Sequence, residues 1–218
     1  MQRREPVQLP RHDYPEDPWR LIERRFTEHH LAQTETLFSV ANGHLGLRGN
    51  HEEGRPSHEH GTLIAGFHET WPIAHAEQAF GLARTGQTIV DVPDAKMIKL
   101  YVDDEPLFLP TAYTSSYERV LDFRSGTLDR RVVWETPSGK RVEVRSRRLV
   151  SLRYRHLAAF QFEVRMLNGN APVVISSQLV NRQDIGAPQG QPGEFDPRVR
   201  QLDGRVLENV LHRADEQR

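Results

Sequence analysis

The side chains best placed to do chemistry lie between Glu35 and Gly54, where polar residues are interspersed with glycines. Every third residue is a glycine at Gly43, Gly46 and Gly49, a density that indicates tight turns or the close approach of another backbone segment. The segment has no Lys-Ser/Thr pair and no βαβ unit follows it, so it is not a phosphate-binding loop. We expect either a contact surface or a glycine-rich strand crossover with solvated charges. The candidate side chains are Asn42, Arg48, Asn50, Glu52 and Glu53.

The histidines are a second candidate for chemistry. There are eleven, and the tightest group is His58-Glu59-His60, in which the two histidines would share one face of a strand. Zinc, however, needs three or four ligands that are held by further hydrogen bonds. The remaining histidines are scattered along the chain, so we expect no metal site.

A basic run extends from Arg145 through Arg147 and Arg148 to Arg155. Its arginines interleave with apolar residues in a strand-like pattern, which favours a solvated sheet face over a nucleic-acid site. The whole chain is also balanced, with 29 basic and 30 acidic residues. Nucleic acids and acidic membrane surfaces bind proteins with a surplus of basic charge, so we expect neither as a partner.

The cellular compartment follows from what the sequence lacks. It contains no cysteine, which excludes disulfides, thiolate catalysis and cysteine-ligated zinc. No stretch approaches the roughly 20 apolar residues of a membrane span. Residues 1–5 lead into no apolar run, so we expect no signal peptide and a cytoplasmic protein.

The elements that must position these residues are strands. We expect residues 1–17 to be an irregular lead-in and residues 18–218 to form one domain. From residue 86 onward apolar and polar residues alternate, most clearly over Phe160–Met166. Turn sequences such as Pro137–Lys140 separate these runs. Many hairpins predict a mainly β fold, an antiparallel two-sheet β-sandwich, and its interrupted strand order predicts a truncated C-terminal end.

Longer motifs resemble one protein family. The strings Glu35–Phe38 (ETLF), Asn42–Asn50 (NGHLGLRGN) and Glu52–Gly54 (EEG) closely resemble the N-terminal domain of glycoside hydrolase family 65. That family contains maltose, trehalose and kojibiose phosphorylases and related hydrolases. The resemblance covers about residues 18–185. Its further matches are Gly61–Phe67, Val92–Pro93, Leu100–Asp103, Tyr117–Asp122 and Leu128–Arg130.

The resemblance implies a supersandwich-type β-sandwich, which family members continue with a helical linker, an (α/α)6 barrel and a small C-terminal sheet. The family's general-acid glutamate and phosphate-binding residues lie in the barrel, so we expect no catalytic residue in this chain. Phosphorylases of the family use inorganic phosphate as a co-substrate and need no cofactor, whereas hydrolases need a second carboxylate to activate water. Whether the parent enzyme is a phosphorylase or a hydrolase stays open.

The chain's own residues can then be weighed as sugar contacts. Glu52 and Glu53 are adjacent and on a strand would point to opposite faces, so they cannot flank one glycosidic bond. We expect them to form hydrogen bonds or ion pairs at a domain junction. Trp134 is expected in the core, whereas Trp71, beside Pro72 in an expected loop, is a candidate platform for stacking on a sugar.

The sequence thus predicts a non-catalytic N-terminal domain of a family 65 enzyme that acts on α-linked glucose disaccharides such as trehalose or maltose. We expect it to pack on the barrel of the same polypeptide, to help shape the sugar pocket and to contribute to a homodimer. Alone, it is expected to bind disaccharide weakly or not at all. The alternatives are a free-standing carbohydrate-binding module and a protein-interaction β-sandwich.

Overall fold

A computed structural model describes residues 8–77 and 79–180 of the chain. Among these residues strands dominate, and helix is confined to residues 28–37. The elements are, in chain order, β1 (Arg20–Glu23), a 3₁₀ helix (Glu28–His30), α1 (Leu31–Leu37), β2 (Val40–Ala41), β3 (Leu45–Leu47), β4 (Thr62–Pro72), β5 (Thr85–Asp91), β6 (Asp94–Val102), β7 (Glu105–Pro106), β8 (Tyr113–Asp122), β9 (Thr127–Glu135), β10 (Arg141–Val150), β11 (Ala158–Met166) and β12 (Val173–Val180).

The strands form three antiparallel sheets. The large sheet has the order β1-β8-β9-β10-β11, and the two small sheets have the orders β2-β3-β4-β5 and β12-β6-β7. Strands β8 to β11 follow one another as a meander of hairpins, so their register is set by the turns. In the predicted turn between β9 and β10, Gly139 has a φ of 80°, which glycine adopts without steric cost.

The inner face of the large sheet packs on both small sheets. At one end, Leu100 of β6 lies in a buried cluster with Trp134 of β9 and Val144 of β10. At the other end, Leu47 of β3 lies in a second cluster with Leu128 of β9. The prediction of a mainly β antiparallel sandwich is confirmed, with one layer divided between two small sheets. The predicted core position of Trp134 is confirmed as well.

Local patterns predict some elements and miss others. The alternation over Phe160–Met166 is strand β11, whose apolar side chains are half-buried against the core. Helix α1 was not predicted; it buries Leu31, Thr34 and Glu35, which share one helical face. The loop expected at Trp71 is wrong, because this residue pairs with Gly86 within the β4–β5 ladder. Glycines and prolines over residues 186–198 predict a loop, and Asp203-Gly204 predicts a hairpin, but both lie outside the described residues.

The part of the basic run that lies in β10 divides between the two faces of that strand. Arg145 and Arg147 lie exposed on the outer face, where they pair with Glu143 and Asp129. The predicted solvated face is confirmed for these two. It is wrong for Arg148, which is buried because it follows the inward phase of the same alternation. None of the described helices is long and apolar enough to cross a membrane.

Candidate functional site

An irregular segment, residues 48–61, connects β3 to β4 and contains Gly49, the last of the three regularly spaced glycines. Gly49 shows why the chain needs glycine there. A Cβ on Gly49 would lie 2.7 Å from the Cβ of Phe38, and its backbone N–H donates to the Glu35 carbonyl at 2.7 Å. The segment therefore passes close to α1, as the density of glycines predicted.

Buried backbone outside a sheet leaves carbonyl groups that need donors. Three arginines of the large sheet contact the segment, and each is almost fully buried: Arg119 of β8, Arg130 of β9 and Arg148 of β10. Arg119 and Arg148 donate to its carbonyl groups, whereas Arg130 binds its glutamate side chains. Arg119 lies opposite Arg130 in the ladder. Arg119 donates to the Gly49 carbonyl at 2.7 Å, and Arg148 donates to the Asn50 carbonyl. The guanidinium groups thus replace the strand partners that this segment lacks.

The two adjacent glutamates of the segment converge on Arg130. The carboxylate of Glu53 accepts a hydrogen bond from each Nη of Arg130, both at 2.7 Å, so the pair is bidentate. Glu52 Oε2 lies 3.0 Å from Arg130 Nη2, while Glu52 Oε1 accepts from Arg148 and from Ser146, each at 3.0 Å. The expected opposite orientation of the two glutamates is wrong, because residues 51–54 form a turn instead of a strand.

The charge state of Glu52 follows from these neighbours. Burial raises the pKa of a carboxyl group, but Arg130 and Arg148 outweigh burial and lower the pKa of Glu52 to about 2. A general acid in glycoside cleavage needs the opposite, a carboxyl whose pKa is raised so that it stays protonated. Glu52 is therefore an ionised ion-pair partner.

A third buried carboxylate, Glu23 of β1, completes the cluster. It accepts from the hydroxyl groups of Tyr14 at 2.9 Å and Tyr117 at 2.7 Å, and it lies 2.8 Å from Arg119 Nε. Tyr117 also contacts His51 Nε2 at 2.9 Å. Burial, followed by the positive charge of Arg119 and the other two arginines, lowers the pKa of His51 well below its usual value, so its ring is neutral.

These groups form one unit, which we name the buried ionic cluster. Its three carboxylates are balanced by three guanidinium groups, and all six side chains are buried. Because its carboxylates are all engaged by arginine, tyrosine or serine, the cluster is built to fix the segment on the sheet, not to transfer protons to a substrate. Its charged members are Glu23, Glu52, Glu53, Arg119, Arg130 and Arg148.

A smaller group fastens the far end of the segment where it enters β4. The Nζ atom of Lys96 donates to the Gly61 carbonyl and to Thr62 Oγ1, each at 2.8 Å, and lies 2.8 Å from Asp94 Oδ1. His60 Nδ1 contacts the other oxygen of Asp94 at 3.1 Å. In residues 8–77 and 79–180, no three histidine, aspartate or glutamate side chains are grouped to bind a metal ion.

The other predicted site residues have mainly internal contacts. The side-chain amide of Asn42 donates to the carbonyls of Ser151 and Arg155, at 2.6 and 3.0 Å. Asn50 is buried and donates to Ser57 Oγ and the Glu59 carbonyl. A role for these residues in contacting sugar or a partner domain stays a prediction.

Two predicted residues differ from this pattern. Arg48 is about one-fifth exposed and bridges Glu35 at 3.6 Å and Glu59 at 3.4 Å, so it reaches the surface. Trp71 lies in β4, and its side chain is outside the described part of the structure.

Comparisons with known proteins place the chain in a family. The model of glycosyl hydrolase family 65, N-terminal domain, matches residues 21–218. An uncharacterized glycosyl hydrolase of Mycobacterium tuberculosis is 40% identical over 203 residues, which are 93% of this chain and 25% of that protein. An α,α-trehalose phosphorylase of Thermoanaerobacter brockii is 42% identical over 159 residues, 71% of this chain and 20% of that protein.

The fold has a solved counterpart. A structure from the human microbiome, provisionally named a kojibiose phosphorylase, aligns with a TM-score of 0.60 at 23% identity and covers 72% of this chain and 21% of that chain. The chain therefore spans about a quarter or less of the length of the relatives described here.

Proposed function

The chain belongs to glycosyl hydrolase family 65 and corresponds to its N-terminal domain, and from this we propose that it supports a separate catalytic barrel without performing chemistry itself. The parent enzyme would act on α-linked glucose disaccharides such as trehalose, kojibiose or maltose. Relatives of the chain include trehalose and kojibiose phosphorylases. In a phosphorylase, inorganic phosphate would be the co-substrate.

The main support for this proposal is that the glutamates of the buried ionic cluster are ionised and paired with arginines. Cleavage of a glycosidic bond needs a protonated carboxyl group, and hydrolysis needs a second carboxylate that activates water. Glu53 is held by both Nη atoms of Arg130 at 2.7 Å, and arginines lower the pKa of Glu52 to about 2. These contacts support a structural, not a catalytic, role for the Glu35–Gly54 motif.

An activity assay tests the non-catalytic assignment. The purified 218-residue chain is incubated with trehalose, kojibiose or maltose, with and without phosphate, and released glucose and glucose 1-phosphate are measured. We expect no turnover, while full-length trehalose phosphorylase of Thermoanaerobacter brockii serves as the positive control. Phosphorolysis or hydrolysis by the chain alone would overturn the proposal.

We also propose that the domain contributes to dimerisation, and the support for this is strand β12. This strand is an edge of its sheet among the described residues, and it exposes Val174, Ile175 and Leu179. Edge strands with exposed apolar side chains pair readily with other chains. We therefore propose that this edge takes part in association with a second copy or with the rest of the polypeptide.

Sedimentation velocity tests this surface. We expect the chain to self-associate and to bind a hydrophobic dye, and we expect Ile175→Lys to reduce both, because Ile175 is 49% exposed on the edge strand. Leu152→Lys is the matched control, since Leu152 is exposed in the turn between β10 and β11, which belong to a different sheet. A monodisperse monomer that binds no dye would refute the dimerisation part and leave the catalytic assignment untouched.

A further inference from the structure

A groove of about 480 Å³ opens where β7, β8 and β9 meet. Three aromatic residues line it: Phe108 and Tyr113, which are exposed, and Trp134, which is buried. Glu105 and Glu135 line it as well. The buried ionic cluster contributes none of the groove's lining residues, so the groove is a separate feature of the domain.

The aromatic residues are held in place by the fold. Phe108 is 38% exposed although its neighbours Leu107 and Leu109 are buried in the core, so the two leucines anchor the segment and direct Phe108 outward. The backbone N–H groups of Thr111 and Ala112 donate to the Phe108 carbonyl at 3.1 and 2.9 Å. This turn fixes the phenylalanine before β8 begins.

Tyr113 is the first residue of β8 and pairs with Glu135 of β9. The residue is 68% exposed, so it is not part of the buried core. An aromatic ring offers a large rigid contact area at a small loss of conformational entropy. The ring of Tyr113 therefore offers an apolar surface, and the carboxylate of the neighbouring Glu135 offers a hydrogen-bond acceptor. Both residues belong to the β8–β9 ladder.

The charge of the groove narrows the class of ligand. Its described lining contains two carboxyl groups and no lysine, arginine or histidine. The larger cavity beside it, of about 880 Å³, differs because three arginines line it along with two glutamates. The arginines are Arg24, Arg25 and Arg131, and the glutamates are Glu28 and Glu118. Carboxylates without basic neighbours repel phosphorylated or acidic ligands, so the groove suits a neutral molecule or a cation.

We propose that this groove binds a neutral saccharide. A pyranose ring has an apolar C–H face that can stack on an aromatic ring, and its hydroxyl groups donate to carboxylates such as Glu105 and Glu135. The volume of about 480 Å³ lies in the range of small-molecule sites. Binding of a saccharide in the groove requires no catalytic residue. The result of a binding experiment is therefore independent of whether the domain supports a catalytic barrel.

Isothermal titration calorimetry of the 218-residue chain with trehalose and with maltose tests the proposal. We expect saturable binding with a dissociation constant in the millimolar range, about −4 kcal/mol at 1 mM. Tyr113→Ala should weaken binding roughly three- to tenfold, the usual worth of an aromatic contact. Tyr154→Ala is the matched control, because Tyr154 is also more than half exposed but lies outside the groove, and it should leave binding unchanged.

Ionic strength separates the saccharide from a cation. Saccharide affinity should not change between low and high salt, whereas the binding of spermidine, used as a cationic probe, would fall as salt screens the carboxylates. Binding of spermidine without binding of either disaccharide would overturn the proposal. So would disaccharide binding that Tyr113→Ala leaves intact, and so would the absence of any disaccharide binding. If Tyr113→Ala alters only self-association, the groove is a protein contact and the proposal is wrong.

Discussion

Replacing Arg130 by methionine would test whether the buried ionic cluster fixes residues 48–54 on the large sheet. Arg130 is buried, binds Glu53 through two hydrogen bonds of 2.7 Å and lies 3.0 Å from Glu52. Methionine retains much of the side chain's length and apolar contact but removes the positive charge. Glu53 would then remain buried without a cation, while Glu52 would keep Arg148 as its partner.

The expected cost follows from the burial of the pair. Removing one partner of a buried ion pair typically destabilises a protein by about 3–5 kcal/mol, because the other charge stays desolvated. For a domain of this size each 1 kcal/mol lowers the melting temperature by roughly 2–4 °C, so Arg130→Met should lower it by about 6–20 °C. The next residue supplies the control. Arg131 is 48% exposed and pairs with Glu143 on the outer face, so Arg131→Met should cost no more than about 1 kcal/mol.

Urea unfolding followed by intrinsic tryptophan fluorescence measures both free energies. A double variant, Arg130→Met with Glu53→Leu, removes the pair instead of breaking it and should be more stable than the sum of the single changes predicts. The reasoning is refuted if Arg130→Met costs no more than Arg131→Met, or if the double variant loses the full sum of the two single losses.

The free energy of unfolding should fall as the pH drops below about 6.5, because the unfolded chain takes up a proton at His51 that the folded chain, with its lowered pKa, does not. His51→Gln should remove this contribution from a pH series of urea unfolding, and an unchanged pH slope would contradict the neutral, buried ring. Gly49→Ala should cost about 1–3 kcal/mol, since the added Cβ would lie 2.7 Å from Phe38. Gly46→Ala is its control, with the nearest atom at 3.6 Å; equal melting temperatures for the two variants would contradict the close approach at Gly49.

Local patterns in the sequence predict several features of the fold. Alternation over Phe160–Met166 and the turn at Pro137–Lys140 predicted β11 and a hairpin, because strand period and turn geometry depend on a few neighbouring residues. Family membership was likewise readable from the motif over Glu35–Gly54. Helix α1 escaped prediction because seven residues carry too short a pattern to distinguish helix from loop.

The sequence also contained a weaker indication that some arginines are buried. Arg119 shares its strand phase with Tyr117 and Leu121, and all three point inward. An arginine in the apolar phase of a strand indicates that a buried acceptor must lie nearby. The pattern does not say which acceptor, because alternation along one strand carries no information about the chain that packs on it.

The sequence by itself determined the sandwich class, the family and the need for glycine near residue 49. Only the tertiary structure decided what the polar residues of the motif do. Glu53 meets Arg130 across 77 residues, and Glu52 meets Arg148 across 96. Spacing along the chain cannot show that these charges neutralise one another, since the pairing exists only once the segment lies on the folded sheet. The buried position of the segment is what makes its carboxylates partners of arginine instead of groups available to a substrate.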